Sequence, residues 1–442
     1  MSAQVETIQT GEGRIFAKYV SQNIFGMLGM SVYILADTFF ISLAEGADGI
    51  TALNLVLPIY SLIFAIGAMI GVGSAIRFRI QRAKNDQSAD TYFSNAILWA
   101  FLFGMLFALA GLLVPDRIVA ILGGDDRIIA IGTRYTRIFM SFAPFFMCNH
   151  ICNAFVRNDN APSVAMAATL FSSMFNIIFD YFLMFPLRMG MAGAALATAL
   201  SPVLGILICC THLLSTKSTV TFRWRMPSPG KLFTACRLGI SAFVGEISSG
   251  VITVVFNMII LGLAGNVGVA AYGVVANSSL VAVAVFNGVS QGSQPLLSDY
   301  YGRGKHASVS KIIRLSIATA FMLSVLILLF VFAFAGPITA VFNNENNALL
   351  TRYAVTGLKL YFIGFVFAGF NIVGTGILSA IELARPAFIA SITRGFVAII
   401  ICAFVMSWLF GMNGVWLAFP TAEFVTSLIV AAAIIKNRKG KV

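Results

Sequence analysis

The chain has 442 residues, of which 59% are hydrophobic and 10% charged, and its mean hydropathy is +0.91. A soluble domain carries about a quarter charged residues, and a soluble chain of this length would break into domains joined by polar linkers. Soluble enzymes, disordered chains and nucleic-acid-binding modules are therefore excluded, and an all-α polytopic membrane protein remains. The net charge of +12 then belongs to loops on a cytoplasmic face rather than to a nucleic-acid surface.

In chain order, the first 13 residues are polar and lack a signal-peptide pattern. Twelve continuous apolar segments follow, each long enough to span a bilayer. They cover about 15–44, 51–79, 91–114, 130–157, 162–186, 191–214, 236–264, 268–299, 308–335, 349–380, 385–410 and 413–435. Several exceed the roughly 20 residues a span needs, which predicts tilts or kinks. Continuous rather than alternating apolar runs exclude a β-barrel. With the N-terminus in the cytoplasm, 22 of the 29 Lys and Arg fall on the cytoplasmic side and seven on the other. That asymmetry places both termini in the cytoplasm. The tally counts Arg314 and Arg394 as cytoplasmic and leaves no Lys or Arg at mid-span.

The polar stretch 215–235 separates six segments from six. Ala36-Asp-Thr-Phe-Phe-Ile-Ser-Leu-Ala44 aligns with Phe256-Asn-Met-Ile-Ile-Leu-Gly-Leu-Ala264, and Gly190-Met-Ala-Gly-Ala-Ala-Leu-Ala197 with Gly411-Met-Asn-Gly-Val-Trp-Leu-Ala418. Both alignments keep nearly one offset and begin on the same side, so the repeat is parallel. The expected organisation is an N-terminal six-helix bundle (1–214), a cytoplasmic linker (215–235) that Trp224 can anchor at the interface, and a pseudo-symmetric C-terminal bundle (236–442). Two such repeats are a transporter architecture.

Acids inside spans are costly and so are functional candidates by default. Four are present: Asp37, Asp180, Glu246 and Glu423. Asp299 and Glu382 sit at helix ends and are expected to be solvated. At about 1.5 Å per residue, Asp37 in the first segment and Asp180 in the fifth reach one level in the outer part of the N-terminal half. Asn176 shares a helix face with Asp180 and Tyr33 with Asp37, and Thr198 in the sixth segment comes to the same depth. Two neighbouring carboxylates cannot both stay ionised cheaply, so the pair should take up H⁺ or bind Na⁺. The plainer alternative is that each aspartate is protonated and bonds a neighbouring helix. Asn257 stands where the repeat would put a second Asp37, an asymmetry that a structural hydrogen bond does not require. Glu246 and Glu423 both come near mid-membrane, as a second proton site, as a site for cationic substrates, or as a mutually bonded pair. Asn257, Asn277 and Gln291 add polarity to the seventh and eighth segments, either toward substrate or as packing between helices. The Cys148-Asn-His-Ile-Cys152 stretch is read as packing and not as a metal site, because His150 faces away from both cysteines.

Certain motifs resemble the multidrug and toxic compound extrusion (MATE) family over nearly the whole chain. They are Ala36-Asp-Thr-Phe-Phe-Ile41, Arg157-Asn-Asp-Asn-Ala-Pro162, Asn176-Ile-Ile-Phe-Asp180, Gly190-Met-Ala-Gly-Ala-Ala-Leu-Ala-Thr198 and Gln291-Gly-Ser-Gln-Pro-Leu-Leu-Ser298. An acid in both the first and fifth segments is similar to the prokaryotic DinF/MepA-like branch rather than the NorM branch. The resemblance implies an N-lobe cation site made by Asp37, Asn176, Asp180 and Thr198 with the Ala194 carbonyl, and with Tyr33 and Asn153 nearby. It also implies an inner-membrane antiporter of a prokaryote. Such a protein acts as a monomer without a cofactor and exports amphipathic, often cationic, organic compounds in exchange for H⁺ or Na⁺. The first segment lacks the proline at which some relatives are proposed to bend, and Gly26 and Gly29 are the residues that could bend it instead. The alternative within the wider superfamily is a flippase for lipids or lipid-linked oligosaccharides. It would favour a basic residue for the phosphate, and none is expected at mid-span. A membrane enzyme would need a catalytic constellation, and His150, His212 and His306 are scattered.

Overall fold

The computed structural model describes residues 2–224, 226–343 and 347–439, so Arg225 of the linker and the last residues of the C-terminal segment lie outside the described residues. Among the described residues the chain is helical, with no strand. The helices are α1 (Ser2–Ala83), α2 (Asp90–Leu113), α3 (Pro115–Ile121), α4 (Asp126–Ser141), α5 (Ala143–Asn158), α6 (Pro162–Met184) and α7 (Met191–Leu213). After the linker come α8 (Pro229–Gly302), α9 (His306–Phe342), α10 (Ala348–Phe362), α11 (Phe365–Ala380), α12 (Ala384–Ile392), a π-helical turn at Thr393–Val397, and α13 (Ala398–Lys439).

Among the described residues, eight helical stretches are long and apolar enough to cross a membrane, and ten if each of two bent pairs counts as one span. The bent pairs are α4 with α5, at 46°, and α10 with α11, at 48°. They coincide with the fourth and tenth segments expected from the sequence, as kinked spans. Two of the eight stretches, Pro229–Gly302 and Ala384–Lys436, run to 74 and 53 residues. Both are far longer than the roughly 20 residues one crossing needs. Each contains a break at a glycine, Gly265 or Gly411, which falls between the seventh and eighth and between the eleventh and twelfth segments expected from the sequence.

The backbone carries the repeat more plainly than the side chains do. Gly46 and Gly265 break their helices at φ 62°, ψ −144° and φ 62°, ψ −158°. Gly190 and Gly411 open theirs at φ 53°, ψ −136° and φ 57°, ψ −135°. This region of backbone space is nearly closed to residues with a Cβ. Asn85 and Gly304 form a third left-handed pair, at φ 57° and 70°, and Asn160 and Glu382 a fourth, at φ 61° and 63°. Every pair keeps nearly the offset found in the sequence, so the two halves turn their corners at equivalent places.

The described chain forms two compact units. One comprises Ala17–Ile247 with Ser298–His306, and the other Met1–Phe16, Ser248–Leu297 and Ala307–Val442. The linker segment falls in the first unit, because hydrogen bonds bind it there. Arg82 Nη2 donates to the Thr219 carbonyl (3.2 Å), Arg223 N to Ser94 Oγ (2.7 Å) and Ser228 N to Asn95 Oδ1 (2.6 Å). Buried Asp159 accepts from His212 Nε2 (2.8 Å), Thr219 N (2.9 Å), Ser218 Oγ (3.1 Å) and the Thr219 hydroxyl. Trp224 is 80% exposed.

Packing within the first unit follows membrane rules. On α2 a small-residue stripe, Ala96, Ala100, Gly104, Ala108 and Gly111, faces inward, while Phe101, Leu106, Leu109 and Leu113 face outward. With lipid as solvent, small residues belong at helix contacts and large apolar ones outside. A Cβ on Gly104 would stand 2.4 Å from Pro144 Cα, which measures how closely α2 and α5 approach. On α1, Gly29 serves the same purpose: a Cβ there would reach 2.5 Å from Leu170 Cδ2 of α6. The helix runs on through Gly26 and Gly29 to its break at Gly46, so both glycines serve contact and not bending here.

Two sequence expectations about charge are corrected. Asp299 is not solvated: it is 7% exposed and pairs with Arg79 (3.2 Å) and Arg303 (3.0 Å). Arg394 is not a loop cation. It lies in the π-helical turn and pairs with Glu423 at 2.5 Å, so a basic residue does stand inside a span.

Candidate functional site

The N-terminal candidates come from α1, α6 and α7. Along α6, Ser172, Asn176 and Asp180 recur every four residues and are buried, Asn176 and Asp180 completely. This polar stripe meets the small-residue face of α7, where Ala194 (fully buried) and Thr198 (4% exposed) lie one turn apart. Asn176 Nδ2 donates to Thr198 Oγ1 at 3.2 Å, which fixes the amide so that its oxygen points the other way. That oxygen, Asn176 Oδ1, is buried and accepts no hydrogen bond.

From α1, the Asp37 carboxyl group comes within hydrogen-bonding reach of that of Asp180. Ionised carboxylates are acceptors only, so this proximity makes no bond until a proton or cation lies between them. Accordingly, Asp37 Oδ1 and both oxygens of Asp180 are buried without a donor. With Asn176 Oδ1 they make four orphaned acceptors at one place, and no Lys or Arg among the described residues pairs with either aspartate. Natural proteins leave few buried polar atoms unsatisfied, and a concentration of acceptors alone calls for a positive charge. The oxygens the structure brings together are two carboxylates, an amide and a hydroxyl. They suit H⁺ or a hard cation such as Na⁺ and not a thiolate-seeking metal.

Tyr33 bonds Tyr60 through its hydroxyl (3.1 Å) and lies within electrostatic reach of Asp37, Asp180 and Glu246. Tyr60 stacks on Phe64 (4.2 Å between centroids) and on Phe139 (4.9 Å). An aromatic wall thus stands beside the carboxylates. Sequence reasoning missed it, although Tyr60 and Phe64 share a helix face. Asn153 is not joined to the aspartates. Its amide donates to Asn149 Oδ1 (2.9 Å) and its oxygen accepts from Thr169 (3.5 Å).

The remaining candidates divide between the units. Glu246 is exposed and belongs to the first unit. Asn257, Asn277 and Gln291 are half-buried and lie in the second. Glu423, in the second unit and 2% exposed, has its partners supplied. Arg394 Nε donates to its Oε1 (2.5 Å), and Asn371 Nδ2 to both its Oε2 (2.7 Å) and its backbone carbonyl (2.8 Å). Asn371 was also missed. A lone asparagine among Phe370, Ile372 and Val373 was the available signal.

A family model described as MatE matches residues 23–182 and 242–405. A multidrug export protein, MepA, of Staphylococcus aureus (strain MRSA252) is 29% identical over 415 residues, covering 92% of this chain and 89% of its own. Among solved structures, an outward-facing multidrug resistance MATE family transporter of the MOP superfamily superposes with a TM-score of 0.90 at 21% identity, over 97% of both chains. A MOP superfamily transporter from Pyrococcus furiosus gives 0.87 at 20% identity, over 95% of this chain and 94% of its own. At these identities the structural likenesses establish the fold.

Proposed function

This chain belongs to the MatE family, and we propose that it is a secondary active antiporter exporting amphipathic, often cationic, organic compounds in exchange for H⁺ or Na⁺. It works as a multi-pass monomer of a prokaryotic inner membrane with both termini in the cytoplasm. The observation that carries the coupling is the donor-free cluster at Asp37, Asp180 and Asn176. A cation from outside satisfies its acceptors, and Thr198 with the Ala194 carbonyl completes the oxygen set. A ligand shifts a conformational equilibrium only by its differential affinity for the two states. A site this short of positive charge is one that a cation can bias strongly. Cation uptake favours the state that releases substrate outward, and cation release inside resets it. Tyr33 offers a ring to a cationic substrate beside the same carboxylates, and Tyr60 holds it there through their hydroxyl bond. Glu246 adds an acid in that unit, whereas Glu423 holds Arg394 and Asn371 together as a structural member. A flippase would need a basic residue available for phosphate, and the mid-span Arg394 is committed to Glu423.

The test is Asp37→Asn and Asp180→Asn in cells and in purified antiport assays. Loss of drug resistance in both, with protein still inserted and monodisperse, is the expected result. Undiminished resistance and antiport in both would refute the coupling role.

A further inference from the structure

In the second unit, α9, α11 and α13 leave a lateral groove of about 610 Å³. Its walls are apolar, with Ile317, Ala318, Phe321, Phe367, Phe370 and Leu428 among the lining residues, and its one charged lining residue is Arg314. Arg314 is exposed, and among the described residues it makes no hydrogen bond or ion pair. Its neighbour Lys311 is engaged instead with Glu12 (3.5 Å).

The depth of Arg314 follows from the length of its helix. α9 runs unbroken from His306 to a kink at Phe334, about 42 Å at 1.5 Å per residue. The hydrocarbon layer is about 30 Å thick, so that stretch, centred, projects roughly 6 Å beyond it at each end. Arg314 is eight residues past His306, about 12 Å along, so its Cα lies just inside the hydrocarbon and its long side chain carries the guanidinium back to the headgroup boundary. Ile317, Ala318 and Phe321 then run from that boundary into the acyl layer.

We propose that this groove is a binding site for one anionic phospholipid of the cytoplasmic leaflet. Its phosphate lies on Arg314 and an acyl chain lies along Ala318, Phe321 and Phe367. The planar guanidinium matches phosphate oxygens two at a time. The anionic class follows from charge complementarity. No acid lines the groove, so the ammonium of a zwitterionic headgroup finds no partner there, and a cationic drug would meet Arg314 at the mouth. The site lies beside the Glu423 cluster. Phe367 packs edge-on against Phe424 (5.3 Å), Phe370 precedes Asn371, and Ser427 of the lining is one turn beyond Glu423. A bound lipid therefore packs on the helix faces that, one turn away, carry Glu423 and Asn371.

The site takes from the functional proposal only the cytoplasmic placement of the start of α9, and its test does not depend on drug transport. The purified full chain is delipidated and offered phosphatidylglycerol or phosphatidylethanolamine with identical acyl chains, and binding is read by native mass spectrometry. The wild type is expected to prefer phosphatidylglycerol by about fivefold, the factor one basic residue contributes near an anionic bilayer surface. Arg314→Gln should abolish the preference and Arg314→Lys should keep most of it. Ala318→Trp, which fills the groove and leaves the charge, should weaken both lipids. An unchanged preference in Arg314→Gln, or wild-type binding in Ala318→Trp, would overturn the proposal.

Discussion

The Arg394–Glu423 pair lends itself to a double-mutant cycle whose size follows from burial. Glu423 keeps 2% of its surface and Arg394 23%. Removing one partner of a buried pair costs about 3–5 kcal/mol, because the other is left as an uncompensated charge. Arg394→Gln strands the more buried member and should cost about that much, with Asn371 alone still bonding the carboxylate. Glu423→Gln strands the more exposed member, whose head can turn outward along its stem, and should cost less, about 2–3 kcal/mol. The double variant should fall short of the sum by about 1–3 kcal/mol, the coupling expected of groups in direct contact. At about 2–4 °C per kcal/mol for a unit of this size, Arg394→Gln lowers the apparent melting temperature by roughly 10 °C. Unfolding of a membrane protein in detergent is commonly irreversible, so all four proteins must be scanned at one rate. Strict additivity, or single-variant losses under about 1 kcal/mol, would refute the reading of Glu423 as a structural member.

Other consequences are equally open to measurement. Asn176→Ala removes one orphaned oxygen and keeps both carboxylates. Half-saturation by the coupling cation should rise about tenfold, the worth of one hydrogen bond to a charged group, while drug binding without a gradient is unchanged. A Cβ at Gly73 would stand 1.8 Å from the Ala235 carbonyl oxygen and one at Gly239 1.9 Å from that of Met69, so backbone meets backbone where α1 crosses α8. Gly73→Ala and Gly239→Ala should each destabilise by about 1–3 kcal/mol or more in a melting assay, with Gly230→Ala as a neutral control. Asp159→Ala leaves the donors of His212, Ser218 and Thr219 without their acceptor, a cost of about 1–3 kcal/mol. The freed linker should be cut by trypsin at Lys217 and Arg223 several-fold faster than in the wild type.

Much of the fold was legible because a bilayer imposes a simple rule: backbone groups must be satisfied within a helix, so spans appear as long apolar runs. The two bent spans were legible only as excess length. The halves align by residue identity at few places, yet Gly46 and Gly265, and Gly190 and Gly411, repeat because their backbone conformations exclude a Cβ. The level shared by Asp37, Asp180 and Thr198 could be counted from segment ends, since helical rise is nearly constant. Pairings between distant segments could not. Arg394 follows the start of its span by ten residues and looks like a boundary cation until Glu423, 29 residues on, is seen beside it. Asp299 and Arg79 lie near the ends of α8 and α1, and only the fold shows that they meet. The linker's polarity marked it as a connection but not where it docks: Thr219, Arg223 and Ser228 donate to Asp159, Ser94 and Asn95, side chains more than 50 residues away.

The central claim is that cation binding at Asp37 and Asp180 drives export. The most direct measurement is drug movement into proteoliposomes under pH and Na⁺ gradients imposed independently, for the wild type and Asp180→Asn, alongside drug–drug exchange without a gradient. The account predicts that one gradient accelerates the wild type, and that Asp180→Asn still exchanges drug for drug but ignores both gradients. A variant that responds to the gradient as the wild type does would contradict it.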